Sequence, residues 1–371
     1  MLHYPAHMKL LCISRKHPPS VGGMQAMNYE LIRRLARDTD ATVIRWGGSQ
    51  WFLPFFLPWA LIRSLALLPR RRRPDAIYLG DALLAPLGLL LKRIFGRPVA
   101  VTVHGRDLTF RFPFYRAVIG FSLRRLDRVV AVSRHTAGIC LAIGMPEERC
   151  VVIPNGVDPA AHIPNPADSE AALRWLGERG VDPGRPMVLT VGRMVKRKGI
   201  AQFIGKALPP LARAHPGILY LVVGEGKERA AIQAEIRRHA MEPHVLLAGR
   251  PPADLVRGLM GLASVFVMPN IPVAGDVEGF GLVALEGGCA GLPVVASDLE
   301  GIRDAIVPGK NGALVTWDDT GGFVSAIGAF LSDGEIRSAA GKAAKEFNRA
   351  NFGWDAAASR YLEVIESMAR S

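Results

Sequence analysis

Cysteine is scarce in this 371-residue chain; four occur, Cys12, Cys140, Cys150 and Cys289. None forms a C-x-x-C pair, and Cys12 and Cys289 sit in apolar runs. That excludes a disulfide framework and predicts reduced, mostly buried thiols in a cytosolic protein. His, Cys and carboxylate side chains nowhere cluster at metal-ligand spacing, so no metal site is expected. The start, MLHYPAHMKLLCIS, lacks the long apolar region and small-residue cleavage site of a signal peptide, so none is expected. There is no short-period repeat and no low-complexity tract. An unbroken apolar run of the roughly 20 residues that a spanning helix needs is also missing. The nearest, WFLPFFLPWALIRSLALLP at 51–69, contains Arg63, is interrupted by Pro54 and Pro58 and ends in Pro69. Acidic charge is short in the first part of the chain. Residues 1–156 hold 23 Lys and Arg against 9 Asp and Glu, while the remaining residues hold 23 against 24. The whole net charge of +13 therefore comes from the N-terminal part. That part should meet something anionic: a membrane surface, a phosphorylated acceptor or a nucleic acid.

What is present is ample apolar material, 49% of the chain, over a length that exceeds what one core usually carries. Two domains are expected. Short apolar runs (MKLLCIS, ATVIRW, DAIYLG, PVAVTVHG, CVVIPNG) alternate with helical stretches such as NYELIRRLARD and ALLAPLGLLLKRIF. Short buried strands separated by helices predict a parallel sheet with crossover helices. The pattern lapses in PNGVDPAAHIPNPADSE, a proline-rich linker, and restarts with PMVLTVG, ILYLVVG, HVLLAG, SVFVMP and PVVAS. The expected division is an N-terminal domain over 1–165 and a C-terminal domain over 166–353. The last helix, about 354–371, could pack on either domain, a return to the first one included. Ligands of open parallel sheets bind at the carboxyl ends of the strands, and two such sheets facing each other would form a cleft.

The interrupted segment 51–73 ends in four arginines, Arg70 to Arg73. A short amphipathic helix lying on a membrane, with these arginines on lipid phosphates, is the expectation. The ordinary alternative is a core or interdomain helix followed by a solvated basic turn.

Two constellations carry chemistry. In TVGRMVKRKG (190–199), Arg193 and Lys198 follow a strand and lead into the helix GIAQFIGKAL. A guanidinium, an ammonium and free backbone N–H groups together suit a diphosphate; the alternative is a solvated basic turn, since Lys196 and Arg197 lie there too. In DVEGFGLVALEGGCA, Glu278 and Glu286 flank a glycine turn. Eight residues of ideal helix rise about 12 Å, so Glu278 belongs to the loop and Glu286 to the helix after it. Two carboxylates so spaced suit the hydroxyls of a polyhydroxylated ligand, since beside a diphosphate they would repel it. His104 ends the strand PVAVTVH, at a position where function often sits. Two decoys are set aside. Asp38-Thr39-Asp40 reads as a helix-ending turn, and Gly224-Glu225-Gly226 lacks the third glycine of a dinucleotide fingerprint.

EGFGLVALE, with GRMVKRKG upstream and SDLEGIRDAI and NGALV downstream, resembles the retaining glycosyltransferases of family 4. HPPSVGGMQ, VTVHGRD, VSRHT and VIPNGVD extend the resemblance over nearly the whole chain. It implies an α/β GT-B fold, two Rossmann-like doubly wound domains facing across a cleft, the first for the acceptor and the second for the donor. It also implies a site. Arg193 and Lys198 match the pair that binds the nucleotide-sugar diphosphate. Glu278 matches the glutamate beside the donor sugar, and Glu286 the one on the ribose. Phe280, Gly281 and Leu282 match the turn whose amides face sugar and phosphate, and Gly192 opens the cationic loop. Gly22 and Gly23 match the N-terminal glycine loop near the donor diphosphate. His104 matches the histidine on the transferred sugar, and Arg250 with Pro251 falls where the base packs. Arg106 and Asp107 would lie towards the acceptor. Glu300 departs from the pattern, which often has a small residue there.

The implied reaction is retaining transfer of a hexosyl group from a UDP- or GDP-linked sugar, with Arg193, Lys198 and helix amides stabilising the leaving diphosphate in place of a metal. No cofactor is implied; the nucleotide sugar is a substrate, and domain closure would exclude water. The acceptor is expected to be lipid-linked or a cell-envelope glycan such as a lipopolysaccharide or glycolipid. The protein would be cytoplasmic and peripheral on the inner face of the plasma membrane. Two rivals are a sugar-nucleotide epimerase of the same fold and a basic nucleic-acid binder. The paired glutamates argue against the second, since they would repel phosphates.

Overall fold

The computed structural model describes residues 8–20, 22–69, 72–110 and 112–370. Contacts divide the chain into two compact units, Met1–Gly156 with Trp354–Ser371, and Val157–Gly353.

Unit 1 is built on a parallel sheet of β1 (Lys9–Ser14), β2 (Asp40–Arg45), β3 (Ala76–Leu79), β4 (Val99–Val103), β5 (Arg128–Ala131) and β6 (Cys150–Val152), in the order β2-β1-β3-β4-β5-β6. The inner strands are buried on both faces, as covered parallel sheets require, whereas the edge strand β6 is only half-buried. Side chains alternate between two layers with the period of 2 that a strand imposes. Leu11, Ile13, Ile77, Leu79, Val99 and Val101 pack under the helices Leu53–Leu65, Ala85–Phe95 and Pro113–Leu123. Leu10, Cys12, Ala76, Tyr78, Ala100 and Val130 pack under Gly23–Asp38 and the last helix, Trp354–Arg370. That last helix brings Trp354, Tyr361, Leu362 and Ile365 into the unit 1 core. Its Tyr361 hydroxyl lies 3.2 Å from Thr102 Oγ1 and its ring stands edge-on to Tyr78 at 6.0 Å. Cys12, Cys140 and Cys289 are buried, Cys150 is half-buried, and all four are free thiols. Asp38 ends the first helix, with Thr39 as its cap and Asp40 opening β2.

Unit 2 repeats the scheme with β7 (Met187–Val191), β8 (Leu219–Val223), β9 (Val245–Gly249), β10 (Val265–Met268), β11 (Val294–Ser297) and β12 (Ala313–Val315), in the order β12-β11-β10-β7-β8-β9. This is the doubly wound order in which the chain runs outwards from β7 in both directions. The proline-rich stretch expected to close the first domain belongs here instead. Val157 N–H donates to the Phe352 carbonyl at 2.7 Å, and Asn165 caps the helix Pro166–Gly177 through a capping box with Asp168. The boundary therefore falls at Gly156 and not at residue 165.

The segment 51–69 is not a spanning helix, and among the described residues no helix is long and apolar enough to cross a membrane. The helix Leu53–Leu65 sends Phe56, Ala60 and Ser64 into unit 1. Its opposite face leaves Phe55 and Ile62 exposed by 72% and 66%, and Trp51, in the turn just before it, is exposed by 90%. The segment thus has a face in the core and an uncovered apolar face. Of the four arginines that follow, Arg70 and Arg71 lie outside the described residues. The Arg73 guanidinium donates to the Phe95 carbonyl. Arg72 lines a cavity of about 320 Å³ with Lys9, Asp40, Thr42 and Leu67. It opens at the amino ends of β1 and β2, the end of the sheet away from the residues that sequence reasoning singled out.

Candidate active site

A doubly wound sheet has a crevice where consecutive connections leave to opposite sides, outside the carboxyl ends of the strands. In unit 2 that point lies between β7 and β10, whose following loops are 192–199 and 269–281. These are the two loops that carry Arg193, Lys198 and Glu278.

The loop after β7 is fixed by backbone bonds. Gly192 N–H donates to Val223 and Met194 N–H to Glu225, both at 2.9 Å. Its four cations divide. Arg193 and Lys196 are exposed, while Arg197 and Lys198 are buried, each 7% exposed. The loop after β10 is tied to it by Ile271 N–H donating to the Arg197 carbonyl at 2.9 Å. Glu278 therefore reaches the buried cations. Its Oε2 accepts from Lys198 Nζ at 2.6 Å and from Asn270 Nδ2 at 3.0 Å, and Arg197 Nε lies 3.4 Å away. Among the described residues Oε1 has no hydrogen bond. One oxygen is held, and the other is left as an acceptor.

Burial works to raise the Glu278 carboxyl. The charges of Lys198 and Arg197 and the hydrogen bonds from Lys198 and Asn270 outweigh it and hold the group down to about 2. Burial lowers the Lys198 ammonium below the usual lysine range, with Arg197 and Arg193 adding to the effect and Glu278 opposing it. Each group thus opposes the effect of burial on the other, and Glu278 is ionised near neutrality.

Glu300 supports the loop from behind. Its carboxylate accepts the Glu278 backbone N–H, and its own backbone is left-handed, with φ +48°. Burial raises its carboxyl, with Glu278 and Asp276 adding to the rise and the Glu278 amide opposing it. Gly301 follows because the chains meet there: a Cβ on it would stand 2.0 Å from the Gly279 carbonyl oxygen. Gly281, at φ +94°, is the residue from which the helix Leu282–Cys289 starts. Left-handed backbone at that point favours glycine. Phe280 is buried against Phe352 with ring centroids 6.1 Å apart, so it can offer a ligand only its backbone. Leu282 is half-buried. Glu286 is the fifth residue of the helix, half-buried, with no hydrogen bond or ion pair among the described residues. Arg250, exposed, and Pro251, half-buried, follow the edge strand β9.

In unit 1 the corresponding switch point lies between β1 and β3. Gly22 and Gly23 are exposed at the start of the helix Gly23–Asp38. Arg15 Nε meets Asp81 Oδ1 at 2.7 Å, and both side chains are buried. His104 Nε2 is 3.0 Å from the Gly80 carbonyl. A carbonyl only accepts, so Nε2 carries a proton, and in the neutral ring Nδ1 is the acceptor. Asp107 is buried with both oxygens committed, Oδ1 to His104 N–H at 2.8 Å and Oδ2 to Ala82 N–H at 3.0 Å. Burial raises its carboxyl, against the pull of His104 and the two amides. Through these bonds Asp107 fixes the loop that carries His104. Arg106 beside it is exposed.

Sequence reasoning thus named Lys198 and Glu278, which the fold brings together, and overlooked Arg197, Asn270, Arg15 and Asp81. Arg197 was indistinguishable from a solvated turn cation. Arg15 and Asp81 had one available signal, that each directly follows an apolar run.

Similar proteins agree with this architecture. Residues 174–347 match the family described as glycosyl transferases group 1, and residues 21–161 match glycosyltransferase family 4. A GDP-mannose-dependent alpha-(1-6)-phosphatidylinositol monomannoside mannosyltransferase of Mycobacterium tuberculosis is 30% identical over 390 residues, covering 96% of this chain and 98% of that protein. A protein of the same description from Mycolicibacterium smegmatis is 28% identical over 378 residues, again covering 96% and 98%. Among solved structures, Anabaena HepE in complex with UDP has a TM-score of 0.77 at 20% identity, over 97% of this chain and 100% of that one. Sucrose-phosphate synthase from Thermosynechococcus elongatus has a TM-score of 0.79 at 21% identity, over 98% and 100%. The chain belongs to the group 1, family 4 glycosyltransferases and has their two-domain GT-B fold.

Proposed function

We propose that this glycosyltransferase moves a hexosyl group, with retention of configuration, from a nucleotide diphosphate sugar to a hydroxyl of a lipid-linked acceptor at the inner membrane surface. Donors linked to GDP or UDP fit, and GDP-mannose is the first to test, because the mycobacterial relatives are named as GDP-mannose-dependent. The observation that carries the proposal is the pairing of Lys198 with Glu278 at the unit 2 switch point, a cation for the diphosphate beside a carboxylate oxygen for a sugar hydroxyl.

Departure of the diphosphate builds negative charge on it. Lys198, Arg193 and the amides that open the helix Leu282–Cys289 are the groups that would stabilise this charge, the task a metal performs elsewhere. Glu278 Oε1 accepts from the sugar, Glu286 from the ribose, and Arg250 with Pro251 borders the base. The anomeric carbon becomes oxocarbenium-like, and a donor phosphate oxygen takes the acceptor's proton. Gly22, Gly23 and His104 belong to the unit that would take the acceptor, and Arg106 adds positive charge there. The exposed apolar face of Leu53–Leu65, on the unit that holds all of the net positive charge, is the proposed contact with anionic lipid.

A thermal-shift panel of nucleotide sugars tests the donor. The matching one at 100 times its Kd stabilises by about 2.7 kcal/mol. Transfer to a phosphatidylinositol glycolipid with chelator present, followed by determination of the anomeric configuration, tests acceptor class, metal independence and retention. No shift with any nucleotide sugar would overturn the reading. Vesicle co-sedimentation tests the surface. Binding should need anionic lipid, weaken with salt and drop when Trp51 and Phe55 are changed to Ser; binding that ignores all three would remove the membrane contact.

A further inference from the structure

One buried cation of unit 2 has no part in the donor contacts above. Arg197 is 7% exposed, yet its Nε and Nη1 have no hydrogen-bond partner. The guanidinium stands at ion-pair range instead, 3.4 Å from Glu278 Oε2 and 3.5 Å from Asp276 Oδ1. A buried charge held this loosely is costly unless another state of the protein uses it. Glu278 Oε2 is meanwhile crowded: Lys198 at 2.6 Å, Asn270 at 3.0 Å and Arg197 all converge on it.

Lys198 cannot keep this contact and also neutralise a donor diphosphate to the full. When it turns to the diphosphate, Glu278 loses its nearest cation while two other carboxylates remain close. The groups facing Glu278 are Lys198 and Arg197 from the turn after β7, Asn270 and Asp276 from the loop after β10 and Glu300 from the loop after β11. Arg193 acts on Lys198. Once Lys198 is drawn away, Arg197 is the cation left to face three carboxylates.

We propose that Arg197 is a positioning residue for transfer: as the donor diphosphate draws Lys198 off Glu278, the Arg197 guanidinium closes onto Glu278 Oε2 and keeps Oε1 presented to the sugar hydroxyl. This rests on the donor reading above. Arg197 touches neither sugar nor phosphate; it acts through Glu278. Its loss therefore affects the donor complex and leaves binding of the nucleotide moiety alone.

The test uses the full chain with Arg197→Gln and Arg197→Lys. It measures kcat against pH for transfer, the calorimetric Kd for the nucleoside diphosphate without sugar, and Tm. In Arg197→Gln, kcat falls about tenfold or more and the acid limb of kcat moves up by about one pH unit, since loss of the cation makes Glu278 easier to protonate in the donor complex. The nucleoside diphosphate Kd stays within about twofold of wild type. Arg197→Lys keeps the charge and restores most of kcat and the acid limb. Should Arg197→Gln fail to fold, Arg197→Met, which fills similar volume without a buried charge, takes its place. A folded variant with wild-type kcat and acid limb overturns the proposal. So does a joint fall of Tm, kcat and nucleotide affinity with no pH shift and no rescue by lysine, which marks a merely structural residue. A wild-type protein that binds no nucleotide sugar overturns the donor reading and this inference with it, whereas wild-type transfer beside a pH-silent Arg197→Gln overturns the inference alone.

Discussion

Unit 1 and unit 2 place charged side chains at the same place in the fold, beyond the carboxyl ends of parallel strands, and use them differently. In unit 1 the carboxylates hold backbone. Asp107 takes the amides of His104 and Ala82, and Asp81 takes Leu83 N–H together with Arg15. In unit 2 Glu278 holds cations, gripping Lys198 and standing near Arg197, while Glu300 behind it takes the Glu278 amide. The first arrangement gives a stiff frame around a histidine. The second stores charges that a charged ligand can reassign. Net charge gives no hint of this, since the basic excess lies wholly in unit 1 while the buried pair of cations lies in unit 2.

The comparison breaks most readily at Lys198. Lys198→Ala should lower kcat by about two orders of magnitude or more, as when one donor of transition-state charge stabilisation is removed. Steady-state transfer assays check it, and an unchanged kcat would show that the unit 2 charges are only structural. Glu286→Gln should weaken nucleoside diphosphate binding about tenfold by calorimetry, the loss expected for a hydrogen bond to a charged acceptor. Equal affinity would remove the ribose role. The smallest effect on chemistry is expected in unit 1. Asp107→Asn keeps one acceptor and leaves one amide without its partner, for about 1–3 kcal/mol of stability by denaturant unfolding. kcat should fall only as far as His104 loses its position. A drop in kcat to the level of Lys198→Ala without loss of stability would mean that Asp107 touches a substrate after all.

Much of the fold was legible in the residues. Runs such as PMVLTVG and ILYLVVG become the buried central strands β7 and β8, because a strand covered on both faces must be apolar throughout. The split of Glu278 into a loop and Glu286 into a helix followed from the Gly- and Pro-rich stretch before LVALEGGCA together with helical rise. The fate of KRK at 196–198 was not legible. Whether those cations are solvated depends on a loop 80 positions further along, which supplies Glu278. Asn270 gave no signal either, since an asparagine beside a proline reads as a turn. The last helix was ambiguous because an apolar face says that a helix is covered, and not by which sheet.

The sequence by itself determined the strand and helix order, the paired α/β architecture and the chemical types available at the strand ends. These depend on local periodicity, on turn residues and on which side chains follow each apolar run. Tertiary structure alone decided which charges are buried, that two donors and a further guanidinium converge on one oxygen of Glu278, and that Asp107 serves the His104 loop. Burial and pairing are relations between segments distant in the chain, and the strength of a charge depends on how far the fold removes it from water.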